Sequence, residues 1–528
     1  MKRFILTTLS IGLMPVLGYG QLPPLDAAVG TWMMHHGAAS LRGLQRLKGA
    51  VTGPYVKCDN FFATAEGDPI VADINGDGLN EIVIAGWDQA VIYAFRGTDC
   101  SLLWSSTISS SPSLYVGGFS PAVGELDPMR PGLEIAVTIN ITDSLYVLSG
   151  TDGSIIWSAP LGIVSWAAAP AIADIDGDGI GEIFVSSSHT TYAFRGNGTL
   201  LWSYPAGYDG SNLAVGDLGN DGTLEVVFFG WSSSTSWQVF AVRATDGTFV
   251  WSYPLSDIGN VALADLDNDG QLEVVVAYHG GGVIALRHNG TLYWSRSLSC
   301  TGCRPNSPTI ADLDGDGLRE ILVGCYKENT VYALRGTDGS TLWSYGGVTT
   351  CGQSSSRKIG DIDGDGALEV VLTSYYAPHL IVLDGATGTV EWTWNNPAGV
   401  GFEGLAIADV DNDGCMEIVV GPNSASGGAR FYVLDSPTPV SYCGILGEDE
   451  ELKVEEDRNI GGVYLLISSV KGGVKVETGR RAFVEIYTLD GRKVKGLEVD
   501  RSAFVELKKG TYVFKVKGHN LYRTVIVR

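Results

Sequence analysis

One nine-residue phrase, Asp-apolar-Asp-x-Asp-Gly-x-x-Glu, recurs in phase along the chain. It reads DINGDGLNE at 73–81, DIDGDGIGE at 174–182, DLGNDGTLE at 217–225, DLDNDGQLE at 265–273, DLDGDGLRE at 312–320, DIDGDGALE at 361–369 and DVDNDGCME at 409–417. A degenerate eighth copy, ELDPMRPGLE at 125–134, falls where the period requires one, and successive copies start 52, 49, 43, 48, 47, 49 and 48 residues apart. A chain that repeats itself at such a period folds as an array of like units, each unable to bury its apolar faces alone.

The flanks of each phrase say what the unit is. A small-apolar run such as Pro308-Thr-Ile-Ala311 precedes it and a β-branched run such as Val274-Val275-Val276 follows, both strand-like. A third, alternating run comes next (VIYAFRG at 91–97, VYALRG at 331–336), then a Thr-Asp-Gly or Asn-Gly turn, then a fourth run carrying Trp104, Trp157, Trp202, Trp251, Trp294, Trp343 or Trp392. Four short antiparallel strands at a 40–50 residue period describe a propeller blade. With 70 Gly and 18% charged residues, the composition also suits a turn-rich all-β chain. The expected fold is all-β: an eight-bladed β-propeller over 68–440, with seven blades as the alternative, and then a small β-sandwich. Unit eight ends near Asp435 without a fourth strand, and the segment 21–67 precedes unit one without a loop of its own. That segment is therefore expected to supply the missing strand and close the ring, with a disulfide between Cys58 and Cys443 as a candidate staple. The Trp side chains are read as wedges between blades whose N–H finds a carbonyl, with sugar stacking as the other use. The Arg closing the third run (Arg96, Arg195, Arg335) is expected to pair with the adjacent turn or loop.

Calcium wants about six to eight oxygens at roughly 2.3–2.6 Å, and a tight loop offers them at alternate positions. Gly at the sixth position permits the turn, because it accepts positive φ. The candidate ligands are Asp73, Asn75, Asp77 and Glu81; Asp174, Asp176, Asp178 and Glu182; Asp217, Asp221 and Glu225; Asp265, Asp267, Asp269 and Glu273; Asp312, Asp314, Asp316 and Glu320; Asp361, Asp363, Asp365 and Glu369; and Asp409, Asp411, Asp413 and Glu417. Gly219 removes one ligand from the fourth unit's loop, and the degenerate second loop is expected to bind nothing. About six or seven structural Ca2+ ions are expected. Residues 1–447 hold 19 Lys+Arg against 46 Asp+Glu, giving −27, whereas 448–528 hold 16 against 13, giving +3. Divalent ions would offset the repulsion among the propeller's carboxylates.

On these loops and their flanking strands, most of 68–435 resembles the FG-GAP/VCBS family of calcium-loop propellers, related in blade plan to the integrin α-subunit head. Strand pairs such as YALRGTDGSTLW at 332–343 resemble the tryptophan-docking motif of quinoprotein-type propellers, commonly eight-bladed. That family often places two adjacent Cys at its quinone, and this chain has no adjacent pair, so the resemblance carries the blade count and not the cofactor.

The ends have other work. Lys2 and Arg3, an apolar run from Phe4 to Leu17 and Gly18-Tyr19-Gly20 read as a signal peptide over 1–20, too short in its apolar stretch to span a membrane. The mature chain is thus expected to be exported and free of transmembrane spans. The eight Cys permit disulfides there, and Cys300-Thr-Gly-Cys303 reads as a local disulfide or free thiols rather than zinc, since no second pair accompanies it. An acidic linker covers 441–459. Residues 460–528 alternate as a β-sandwich, in which VEIYTLDGRKV at 484–494 and LKKGTYVFKV at 507–516 resemble the C-terminal sorting domain of type IX-secreted bacterial proteins. That resemblance implies passage across an outer membrane, with removal of the domain or attachment at the surface; an ordinary adhesive β-sandwich is the alternative.

A formal charge of −24 argues against nucleic acid or an anionic membrane as a partner, because phosphates are met by clustered Lys and Arg. The expected function is a calcium-binding surface or secreted scaffold for binding or adhesion, with an extracellular protein or glycan as partner. The alternative is a polysaccharide-active enzyme, because some rhamnogalacturonan lyases resemble an eight-bladed propeller with calcium loops. Between 21 and 447 there are four Lys (48, 57, 327 and 358) and scattered His, including the pair His35-His36 read as part of ring closure. No catalytic constellation emerges from them.

Overall fold

Each sequence repeat folds as one four-stranded antiparallel sheet in the computed structural model. It describes residues 44–443 except 46, 54, 63–66, 87–89, 110–119, 165–168, 209–211, 232–236, 299–306, 326–328, 348–356, 375–378, 398, 400, 423–428 and 438–442. Beyond 443 it describes seven strand backbones between 465 and 527. The chain divides into two compact units, Leu22–Leu446 and one that takes in Gly447–Arg528. The signal peptide, the His35-His36 pair, the acidic linker apart from Cys443, and Cys300, Cys303 and Cys351 lie outside the described residues.

The first unit is an eight-bladed propeller. Blade 1 comprises Ile70–Ala72, Glu81–Ala85, Ala90–Arg96 and Leu102–Ser109, and blade 5 comprises Gly259–Ala264, Glu273–Tyr278, Gly282–Leu286 and Leu292–Ser297. The remaining blades open at Ala122 (blade 2), Ala171 (3), Leu213 (4), Thr309 (6), Arg357 (7) and Phe402 (8). First strands neighbour one another from blade to blade and so line the axis, where space is least. They are short, small and wholly buried, as in Ile70–Ala72 and Ala122–Gly124. Second strands such as Glu225–Trp231 are buried almost throughout because both faces meet another blade, while fourth strands such as Leu200–Tyr204 alternate and bury chiefly their Trp. One apolar cluster accordingly mixes Phe229 of blade 4, Val261 and Val275 of blade 5 and Ile321 of blade 6.

The Trp side chains join blades. Six indoles, those of Trp104, Trp157, Trp202, Trp251, Trp294 and Trp343, each donate to a backbone carbonyl at the end of the next blade's third strand, at 2.6–2.8 Å. In seven blades the third and fourth strands slip register next to the Trp, as between Ala333, opposite Trp343, and Leu334, opposite Thr341. Such a bulge turns the strand and re-aims its side chain. The following blade's turn lies flat on the ring: Gly339 has φ +70°, and a Cβ there would lie 2.7 Å from Trp294. Glycine is required at that turn by both its backbone and its neighbour.

Ring closure follows the expected route, with one correction. Tyr55–Phe62 pairs antiparallel with the third strand of blade 8, Ala429–Asp435, and completes that sheet. The staple is not Cys58–Cys443. Cys58 is bonded to Cys100 in the turn of blade 1, and Cys443 to Cys415 in the Asp loop of blade 8. The closing strand lies beside blade 1, which brings Cys58 to that turn, while Cys443 lies at the blade 8 loop, where its N–H donates to Gly414 O at 2.9 Å. Upstream of the closing strand, residues 44–51 lie against blades 7 and 8. The N–H groups of Gln45, Gly49 and Val51 donate to Ile359, Asp361 and Ile362, and Lys48 O accepts from Met416.

In the second unit, Leu465–Val470, Gly473–Thr478 and Ser502–Val505 form one sheet, and Ala482–Thr488, Lys493–Val499, Gly510–Val516 and Tyr522–Val527 a second. Among the described residues no helix is long and apolar enough to cross a membrane.

Candidate metal-binding loops

Every blade places its Asp phrase between the first and second strands, and the terminal Glu opens the second strand as a buried carboxyl: Glu81, Glu134, Glu182, Glu225, Glu273, Glu320, Glu369 and Glu417. In all eight, one oxygen of this Glu accepts the N–H of the residue at the phrase's second position, from Ile74 to Val410, at 2.6–3.2 Å. The first Asp receives loop N–H groups; Asp73, for instance, accepts from Gly76, Asp77 and Gly78. The fifth-position Asp accepts from the residue two further on, as Asp269 does from Gln271. These bonds curl the loop and turn its remaining oxygens toward one another.

In five loops three carboxylates approach within 4.8 Å: Asp174, Asp176 and Glu182; Asp265, Asp267 and Asp269; Asp312, Asp314 and Asp316; Asp361, Asp363 and Asp365; Asp409, Asp411 and Glu417. These clusters could bind metal ions. In blade 1 the Asn75 amide bonds to Asp77 and Glu81, and in blade 4 Gly219 stands at the third position with Asp217, Asp221 and Glu225 around it. Asp178 and Asp413 stand beside their clusters as acceptors for Ile180 and Cys415.

The donor sets fit a hard cation, because some of their buried oxygens accept no hydrogen bond. Asp267 Oδ1, Glu273 Oε1, Asp312 Oδ1, Asp409 Oδ1 and Glu417 Oε1 are buried without a hydrogen bond, although Glu273 and Glu417 are 0% exposed. A buried charge is costly unless paired or bound to metal. Burial, with repulsion from the neighbouring Asp side chains, accordingly pushes Glu81, Glu225, Glu273 and Glu320 up to about 7. Burial, followed by Glu391, takes Glu369 up to about 9.

Opposite the loop Glu, the end of the third strand sets the local charge. Arg195 lies 3.7 Å from Asp176, Arg335 3.5 Å from Asp314, and Arg287 3.3 Å from Asp267 with its guanidinium over the Tyr293 ring. Arg96 bonds instead to Ser101 in its turn. Blade 7 has Asp384 at this place and blade 8 has Asp435, where Lys57 from the closing strand bonds to both Asp411 and Asp435. Sequence reading did not anticipate Lys57, since its partners lie more than 350 residues away.

A family model for the FG-GAP-like repeat matches residues 174–228, 265–323, 312–372 and 361–420. The propeller carries FG-GAP-like repeats. No curated protein matches the chain. Among solved structures, a quinohemoprotein alcohol dehydrogenase from Pseudomonas putida HK5 superposes with a TM-score of 0.57 at 13% identity, over 78% of this chain and 82% of that one. The V. cholerae biofilm matrix protein Bap1 gives 0.54 at 16%, over 74% and 93%, and Saccharomyces cerevisiae Sqt1 gives 0.53 at 11%, over 73% and 100%. At these identities the likeness is one of fold alone, and the fold does not choose among functions.

Proposed function

We propose that this chain is an exported propeller whose Asp loops hold calcium as structural ions, and that it serves as a surface or secreted scaffold for binding or adhesion. The observation that carries the metal reading is the set of buried loop oxygens without a hydrogen bond at Asp267, Glu273, Asp312, Asp409 and Glu417. Calcium is the matching ion, being a hard divalent cation that takes carboxylate, amide and carbonyl oxygens in loops of this length. Asp265, Asp267, Asp269 and Glu273 would hold it in blade 5, with the corresponding residues in the other complete loops. The FG-GAP-like repeats and the −27 charge of residues 1–447 support the same reading. For the scaffold, support comes from the signal-like first twenty residues, from the tail's likeness to a sorting domain, and from the biofilm matrix protein that shares the fold.

The test is thermal unfolding of the full chain with and without excess EDTA, calcium being added back, together with elemental analysis. Ions that bind the folded state alone stabilise it by about 2.7 kcal/mol per site at a hundredfold excess over Kd. The expected result is a melting temperature at least 10 °C lower in EDTA, restored by calcium, with about six or seven ions per chain, as the loop count and this linkage imply. An unchanged melting curve and no bound calcium would reduce the loops to turns. Glycan and protein partners are then sought by array binding in calcium and in EDTA.

A further inference from the structure

The innermost strands carry a buried polar belt unrelated to the Asp loops. Asp68, ahead of blade 1, receives Lys358 Nζ of blade 7 at 2.7 Å and the Leu405 N–H of blade 8 at 3.2 Å, and its own N–H donates to Ser120 of blade 2 at 2.8 Å. The Asn212 side chain of blade 4 reaches Ser307 of blade 6 at 2.5 Å and accepts the Val261 N–H, while the Asn212 backbone N–H donates to Asn260 of blade 5. Arg357 Nη2 of blade 7 donates to Ser307 O at 3.0 Å and links the two halves. Side chains and backbone of seven blades thus meet around the axis.

Arg357 is the member this belt does not satisfy. It is 1% exposed, and its Nε and Nη1, which carry three of its five N–H donors, have no acceptor. Asp68 is already held by Lys358 and by Leu405. Lys358 thus meets the Asp68 carboxylate, whereas the Arg357 guanidinium meets the Ser307 carbonyl through Nη2 alone. A buried charge without a partner is among the most costly features a core can hold. A guanidinium with open donors matches an anion in both charge and shape.

We propose that Arg357 is the centre of a closed anion site beside the propeller axis, taking one small monovalent anion, a halide or a carboxylate group. The anion accepts from Nε and Nη1, offsets the charge of Arg357 and fixes blade 7 against blade 6 through Ser307.

The full chain is unfolded thermally at constant ionic strength, with sodium gluconate replaced stepwise by sodium bromide or by sodium formate. Binding to the folded state raises the melting temperature by about 1–3 °C per tenfold rise in the anion. A rise with both salts points to a free small anion, and a rise with formate alone points to a carboxylate ligand. Arg357→Met, which keeps the site filled with an apolar chain of similar length, is expected to abolish the response. Crystals of the wild-type chain grown in bromide settle the matter should that variant fail to fold: anomalous density within about 3.5 Å of Nε or Nη1 is expected. Ordered water in that place, with flat melting curves in both salts, would overturn the proposal.

Discussion

Blades 2 and 5 have the same four strands and the same buried Glu, yet one loop has lost the Asp pattern and the other keeps all of it. In blade 2, Glu134 accepts the N–H groups of Leu126 and Asp127, and Arg130 folds back on Asp127. In blade 5, Glu273 accepts the Leu266 N–H in the same way, but its second oxygen and Asp267 Oδ1 are buried without a hydrogen bond. The turn can therefore be closed without the full Asp pattern, by Glu134 with Glu125 and Asp127 as further acceptors. The additional Asp residues curl the loop through Asp265 and Asp269 and concentrate charge there, which is what a cation site requires.

The largest effect expected from this comparison is on the pH dependence of the ion-free protein. Glu81, Glu225, Glu273 and Glu320 are pushed up to about 7 by burial and then by neighbouring Asp charge, and Glu369 to about 9. A carboxyl whose folded pKa lies above its unfolded value of 4.5 holds its proton longer when folded. Its contribution is present at low pH and is lost as pH rises. In EDTA, urea midpoints should fall from pH 5 to pH 9. In calcium they should rise over the same range, because the ion selects the ionised form. Changing Asp265, Asp267 and Asp269 together to Asn should weaken the downward trend, and Asp127→Asn in blade 2, which removes a single charge from beside Glu134, should weaken it less.

The second effect concerns the shared Glu. Glu134→Ala and Glu273→Ala each leave a buried N–H unpaired and should cost about 1–3 kcal/mol in EDTA. In saturating calcium the blade 5 variant should lose further stability and one bound ion, and the blade 2 variant should lose neither. Equal losses under both conditions would mean that blade 5 binds no metal.

The smallest effect separates the complete loops from one another. Arg287 shares the blade 5 carboxylates, at 3.3 Å from Asp267 and 3.7 Å from Glu273, whereas blade 7 has Asp384 in its place. Removing a competing cation at a partly exposed site is worth about 0.3–1 kcal/mol. Arg287→Ala should therefore tighten one calcium site about two- to fivefold by titration calorimetry, and Asp384→Arg should weaken another to a similar degree. No change in either would place the Arg outside the ion's reach.

Much of the ring is legible in the order of residues. The period counts the blades, the Asp phrase falls at the first turn of each, and the recurring Trp sits where a ring can reach the next blade's carbonyl. All three are local patterns repeated in phase, and each repeat supplies its own evidence. The register slip beside Trp343 is not legible there, because a bulge adds one residue without altering the apolar pattern. Nor is the place of residues 44–51, whose backbone bonds go to Ile359, Asp361 and Ile362, more than 300 positions later.

By itself the sequence determined an all-β ring of eight units, the position of each acidic loop and the origin of the closing strand. Periodicity, turn chemistry and the need to leave no free edge act within a unit or between like units. Tertiary structure alone decided which cysteines meet, which cation faces each loop, and that Lys358 meets Asp68 while Arg357 meets Ser307. Those contacts join non-repeating positions on blades far apart in the chain. No spacing rule reaches across a closed ring, and burial, which makes such groups consequential, exists only once the blades have packed.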